Sequence, residues 1–498
     1  LAIFAMVFGS TFGTLNSAYA ADGGTVALTT GDSVDETEVD DGGDPFAESD
    51  VTISEDATIT LGDDLIIHKI TGVIEAGNED DILTLAGGNR LTVEEAIAPA
   101  DGANALSFIL TGSGTVMDIE ATAAGTYNLA DGTTLELGKD GDTDFDGVVA
   151  ASAAGKGTFL VTGNTQDVDG TIGQGANKHL ELVNITGDTT EFAGKVNALS
   201  MTISGTGSDF AAAVGVDAIT LESTALATTF TAVVTDEAET GTGSISIADG
   251  GSNVVITLDG AVTYDTDISS VTDSEGEIKV TGAATLSGDI GTSATVRLAT
   301  LNIDENTTVS GTVNVDAVTL KATKTLTAAG NTKTIRGTID GEAAADGGQG
   351  ILTVSNGGLP ATIQTFTGAI GQTSELDMIT LTTEADFDSS VKSDGVTIAA
   401  ATEGKFGGDL TLGAEDLTLG DATSQATFDG TSAQTITGGA AGEEIDGTGI
   451  IQISNTSTAG VTFSTNATID SNTVELKLAA NARATTSVVS HVTKNVET

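Results

Sequence analysis

The residues best placed to do chemistry lie in one short stretch, Lys139 to Gly147, which reads KDGDTDFDG. Asp142, Asp144 and Asp146 followed by Gly147 repeat the D-x-D-x-D-G spacing of a calcium loop, in which alternate carboxylates converge on a hard cation and the glycine permits a sharp turn. Asp140 adds a fourth carboxylate. The twelfth position from Asp142 is Ala153, where a full loop carries a bidentate acid. The segment therefore reads either as a weak calcium site, with Asp140, Asp142, Asp144 and Asp146 as ligands, or as a solvated acidic turn. A second stretch, AGNEDDILTL at 76–85, is a single faint copy of a glycine-aspartate calcium repeat.

Other chemistry is thinly represented. His68, His179 and His491 are far apart, and the chain has no H-E-x-x-H, G-x-S-x-G, P-loop or G-x-G-x-x-G motif. Glu94-Glu95 and Glu443-Glu444 are adjacent carboxylates, but neighbours on a strand point to opposite faces, which does not suit a glycosidase pair. Asn184, Asn306, Asn455 and Asn466 sit in N-x-S/T sequons, a number that chance explains in a chain so rich in Ser and Thr. No residue is assigned catalysis, and the chain reads as a non-enzyme.

The elements that must position these residues follow from composition. Hydrophobic residues make up 39% of 498, enough to fold, yet aromatics are only 4% and Trp is absent. Ala, Val, Ile and Leu suit thin, regularly stacked layers better than one large globular core. The formal net charge is −55, from 72 acidic and 17 basic residues, which opposes binding to nucleic acid or anionic lipid. It favours divalent cations or a salty exterior. Cysteine is absent, so no disulfide framework exists.

In chain order, residues 1–20 form an apolar run ending in Ala18-Tyr19-Ala20, the small-x-small pattern of a secretory cleavage site, read here as a truncated signal peptide. Residues 21–50 are an acidic, flexible lead-in. Residues 51–150 are an N-terminal β region, with a helical cap or insertion expected between Asn89 and Ala105 that Pro99 would end early. Residues 151–480 are the repetitive part and 481–498 a C-terminal tail. No segment of the mature chain reads as a transmembrane helix.

The repeat is clearest around Gly276 to Leu320. Ile278, Val280, Gly282, Ala284, Leu286, Gly288 and Ile290 all fall on even numbers, the two-residue period of a strand with one buried face. A Gly-rich start phrase recurs as GKGTFLVTG, GTGSISIAD, GEIKVTG, GQGILTVSN and GTGIIQISN. Three of the five are followed by an Ile-Gly pair, at Ile172-Gly173, Ile290-Gly291 and Ile370-Gly371. Further apolar pairs then begin at Val183, Leu199 and Ile219, at Leu301 and Val318, and at Ile379, Val396 and Leu410. Steps of roughly 14–20 residues are too short for separate domains but fit one coil of a β-solenoid. The expected fold is all-β, an elongated parallel β-helix or β-solenoid, with tandem β-sandwich domains as the alternative.

The phrases QTFTGAIGQTSELDMITL (364–381) and VTGAATLSGDIGTSATVRLATLNI (280–303) resemble repeats of large bacterial surface proteins: the β-helical passenger regions of autotransporters of the rickettsial surface-antigen type, and similar surface-layer proteins. The resemblance covers roughly residues 150–480. It implies an exported protein displayed on the cell surface or outer membrane as a coat or an adhesin, with self-association into a coat or filament and a cell-surface or glycan ligand as the alternative partner. Residues 480–498 lack the aromatic strands of a translocating barrel. A polysaccharide-active β-helix enzyme is the third reading, disfavoured by the scarcity of basic and aromatic residues.

Overall fold

The computed structural model describes residues 50–486 except 54–55, 62–63, 73–81, 100–105, 142, 237, 239–240, 331–332, 343–348, 357–362, 440–443, 465 and 470–473, together with the strands Thr25–Leu28, Ser33–Asp35 and Lys494–Asn495. The expected signal peptide lies outside them. The chain divides into two compact units, Leu1–Asp217 with Glu237–Glu239, and Ala218–Asp236 with Thr240–Thr498.

Each unit is a parallel β-solenoid. In the first, Met117, Leu135, Phe159, Val183 and Met201 are successive register partners on strands Val116–Ile119, Thr134–Leu137, Thr158–Val161, Leu180–Ile185 and Val196–Ile203. In the second, Ile256, Ile278, Leu301, Val318 and Ile339 form the same kind of column. The two-residue period explains both. Alternate residues point inward, and each inward residue lands on its counterpart in the next rung. Full burial of a Val, Leu or Ile contributes about 1.5–3 kcal/mol, against about 0–1 kcal/mol for an exposed ion pair. Inward columns, not surface salt bridges, hold the rungs together. The parallel pairing also excludes the β-sandwich, whose sheets are antiparallel.

The low aromatic content conceals an ordered use of rings. Phe366, Phe387, Phe406 and Phe428 are register partners in the second unit, with ring centroids 5.0, 5.4 and 5.3 Å apart. In the first unit Phe108 stacks on Tyr127, and Phe192 on Phe210, at 4.9 Å. All eight side chains are fully buried.

The Ile-Gly pairs are corners. Ile290 bridges Ile268 on one side and Val313 on the other, and Gly291 turns the chain at φ +76°. A Cβ at Gly291 would stand 2.1 Å from the carbonyl oxygen of Asn314 in the next rung, so both the backbone angle and the close approach demand glycine. Gly173 and Gly371 repeat the arrangement, at φ +76° and +69°.

Several expectations change. Of the stretch from Asn89 to Ala105 expected to be helical, the described part forms instead the strands Arg90–Val93 and Ile97–Pro99, with Leu91 paired to Met117 and Leu65, and residues 100–105 lie outside the described residues. The alternation of Leu91 and Val93 finds ready partners in neighbouring rungs, and that tertiary pairing overrides local helix propensity. The one helical element described is the single turn Gly175–Lys178. Within 21–50, Thr25–Leu28 pairs with Asp50–Ile53, and Ser33–Asp35 with Ala57–Thr60. The strands Thr134–Leu137 and Thr158–Val161 pair across the boundary drawn at residue 150. In the 481–498 tail, Ala484–Thr486 and Lys494–Asn495 are also strands.

The rungs are also less even than the apolar steps suggest. Val183 pairs with Met201, while Leu199 is 36% exposed; Leu410 pairs with Val391, and the partner of Val396 in the following rung is Leu417. The steps from Leu301 to Val318 and from Ile379 to Val396 do match rung partners.

Candidate metal centre

Within the segment from Lys139 to Gly147, the described residues from Thr143 onward belong to a rung. Thr143–Asp144 is a short strand paired with Gln166–Asp167 of the next rung, so Asp144 and Asp167 are register partners, and Asp169 follows two residues on. The three carboxylates offer oxygens within 4.8 Å of one another, with Asp144 and Asp169 exposed and Asp167 half-buried. Oxygen-only ligands on a solvent face suit a hard cation such as calcium, with water completing the 6–8 ligands it takes. Gln166 steadies the ground beneath: its buried amide donates to the carbonyls of Lys139 at 2.7 Å, Gly141 at 3.1 Å and Asn164 at 3.0 Å.

Of the four ligands expected from spacing, only Asp144 joins this cluster. Asp140 instead accepts from the backbone and side-chain nitrogens of Asn164, at 3.0 and 2.8 Å. Asp142 lies outside the described residues. Asp146 is exposed, and its backbone N–H donates to Ala123. Gly147 is not a turn glycine. Its Cβ would stand 2.6 Å from the rings of both Phe145 and Tyr127, so aromatic packing accounts for it. The sequence missed Asp167 and Asp169 because they sit one rung away, a relation that local spacing cannot express.

The Asp140 contact is one step of a longer ladder. Asn164 Oδ1 accepts the Asp188 N–H at 2.8 Å, and Asp188 Oδ1 accepts the Thr206 N–H at 2.7 Å. In the second unit Asp267 accepts the Asp289 N–H, and Asp289 the Thr312 N–H, both at 2.7 Å. These bonds span 18–24 residues of chain and satisfy backbone donors at corners, where the strand ladder is interrupted. Much of the acidity thus has a structural use. Asp421 shows the electrostatic consequence: hydrogen bonds from the Thr423 hydroxyl and backbone, with others from Ala401 and Ser424, hold its carboxyl down at about 2.

A second carboxylate group is buried. Asp118 and Glu136 are register partners, each 7% exposed, and Arg90 reaches both, with Nη1 2.7 Å from Asp118 and Nη2 2.7 Å from Glu136. Thr162 Oγ1 donates to Glu136 at 2.9 Å. Burial and the neighbouring Glu136 push Asp118 up to about 6, against the pull of Arg90. Nothing in the sequence flagged this trio, whose members lie in three different rungs.

The remaining candidates that lie among the described residues are structural or exposed. His68 Nε2 is 3.0 Å from Glu95, His179 is buried, and His491 lies outside the described residues, as do Glu443 and the side chain of Glu444. Asn455, in a sequon, is 1% exposed and donates to Gln434 at 2.6 Å and Ser432 at 2.8 Å, so it serves the interior. Among the described residues no helix is long and apolar enough to cross a membrane. No family model, curated protein or solved structure matches the chain.

Proposed function

We propose that the chain is an exported structural protein of the cell surface, whose repeating rungs form a coat-like assembly with calcium bridging or bracing its acidic faces. The observation that carries this reading is the placement of charge. Inward columns are apolar, and carboxylates such as Asp140, Asp188, Asp267 and Asp289 are used outward, tying one rung to the next. Such a surface is soluble while strongly charged and becomes able to associate when cations screen it. Electron microscopy of the protein with and without calcium tests the proposal: sheets or filaments are expected, and a monodisperse monomer in both conditions would overturn it.

The adhesin reading shares the scaffold and differs in partner; binding to host or neighbouring cells by a non-assembling monomer would favour it. A polysaccharide-active enzyme would have to recruit a group such as Asp118 and Glu136, a carboxylate pair with one member titrating near 6. Turnover of an acidic polysaccharide that is lost in Glu136→Gln would support that third reading.

A further inference from the structure

In a chain of net charge −55, one sheet face of the second unit carries an uncharged stripe. Thr285, Thr308, Thr327, Thr353 and Thr380 are register partners on five successive rungs. They stand outward between buried neighbours such as Leu286, Leu326, Leu352 and Ile379. Their hydroxyls make no hydrogen bond within the described residues. The residues two positions before and after each threonine carry no charged side chain in any of the five rungs, and a carboxylate reaches them at Ser287, which donates to Asp265 at 2.8 Å. Charge returns at the rim, where Lys324 pairs with Glu305 at 2.8 Å and Lys333 with Asp289 at 3.6 Å.

We propose that this threonine face is where a second copy of the chain docks, an inference that rests on the coat reading above. Two copies of so acidic a protein repel one another over most of their surface, and the repulsion is least where no charge stands. The face is also its own complement. A threonine hydroxyl both donates and accepts, and rungs repeating at about 4.8 Å meet an identical array in step. In a two-fold pairing whose axis passes through Thr327, that rung faces itself. Five rungs by three outward columns cover roughly 500 Å² per copy, less than the roughly 800 Å² of a standard interface. Such a contact is weak alone, and because a two-fold pairing uses the face once per chain it joins chains in pairs, the coat then needing a second contact elsewhere on the chain.

The absence of cysteine makes the test direct. Thr327→Cys in the full chain, treated with a short bis-maleimide able to span the roughly 10 Å between packed sheets, should give a covalent dimer. Thr319→Cys, on a different face beside Asn302, should not. In parallel, Thr327→Glu with Thr353→Glu should weaken self-association at least tenfold by sedimentation, with the circular dichroism melt unchanged and Thr319→Glu associating as the native chain does. Native assembly together with equal cross-linking at both cysteines, or undiminished association of the double glutamate variant, would overturn the face while leaving the coat reading intact. A native chain that stays monomeric with and without calcium would overturn both. Unchanged association with lost co-sedimentation on an insoluble polysaccharide would assign the face to a glycan and also overturn the proposal.

Discussion

Phe387 and Phe406 stack one rung above the other, with ring centroids 5.4 Å apart and planes inclined by 18°. Phe366 continues the stack on one side and Phe428 on the other. Replacing an inner ring therefore opens a cavity touched by two neighbours. Phe406→Ala is expected to cost about 3–5 kcal/mol and Phe406→Leu distinctly less, read as shifts of the urea midpoint. Equal losses would mean that the stack adds nothing beyond what any large apolar side chain supplies.

Gly291→Ala meets two obstacles at once, a φ of +76° and a carbonyl oxygen 2.1 Å from the new Cβ. It should destabilise by about 2 kcal/mol or more, with faster amide exchange at the neighbouring corner residues Asn314 and Ile268. Exchange unchanged at both would contradict the corner assignment.

Asp421 and Asp118 should give opposite responses to acid. The Asp421 carboxyl is depressed from 3.8 to about 2, so its contribution to stability is present above about pH 4 and is lost as the pH falls through about 2. The urea midpoint of Asp421→Ala should lie below that of the native chain at pH 5 and converge with it toward pH 2.

Asp118 is raised from 3.8 to about 6, so the folded chain takes up this proton at a higher pH than the unfolded chain. Its contribution favours the fold below about pH 4 and is lost as the pH rises through about 6. Relative to the native chain, Asp118→Asn should gain stability between pH 4 and 6 and hold a constant difference above. A difference that does not change over that window would show that Asp118 stays ionised.

Calcium should raise the melting temperature through the Asp144, Asp167 and Asp169 cluster. Asp167→Asn is expected to remove most of that shift and the calorimetric binding signal, while Asp140→Asn retains both, because Asp140 is engaged with Asn164. The reverse order of effects would restore the ligand set read from local spacing.

The sequence by itself determined the fold class. A two-residue period, apolar pairs in repeating phrases and Ile-Gly pairs in constant order leave few arrangements other than stacked short strands, because alternation and corner chemistry are local properties of the chain. Leu301 and Val318 could be matched across rungs on that basis. Residue spacing also pointed to Asp144. Regularly spaced phenylalanines, at 366, 387, 406 and 428, held a further signal of rung length that composition alone obscured.

Tertiary structure decided register. Rung lengths vary, so whether Leu199 or Met201 lies above Val183 depends on how each corner is closed, and that depends on residues in the rungs on either side. Asp144 meets Asp167 rather than Asp140, and Arg90 meets Asp118 and Glu136, for the same reason: each contact runs between rungs and takes its distance from the stacking, which has no counterpart in sequence separation.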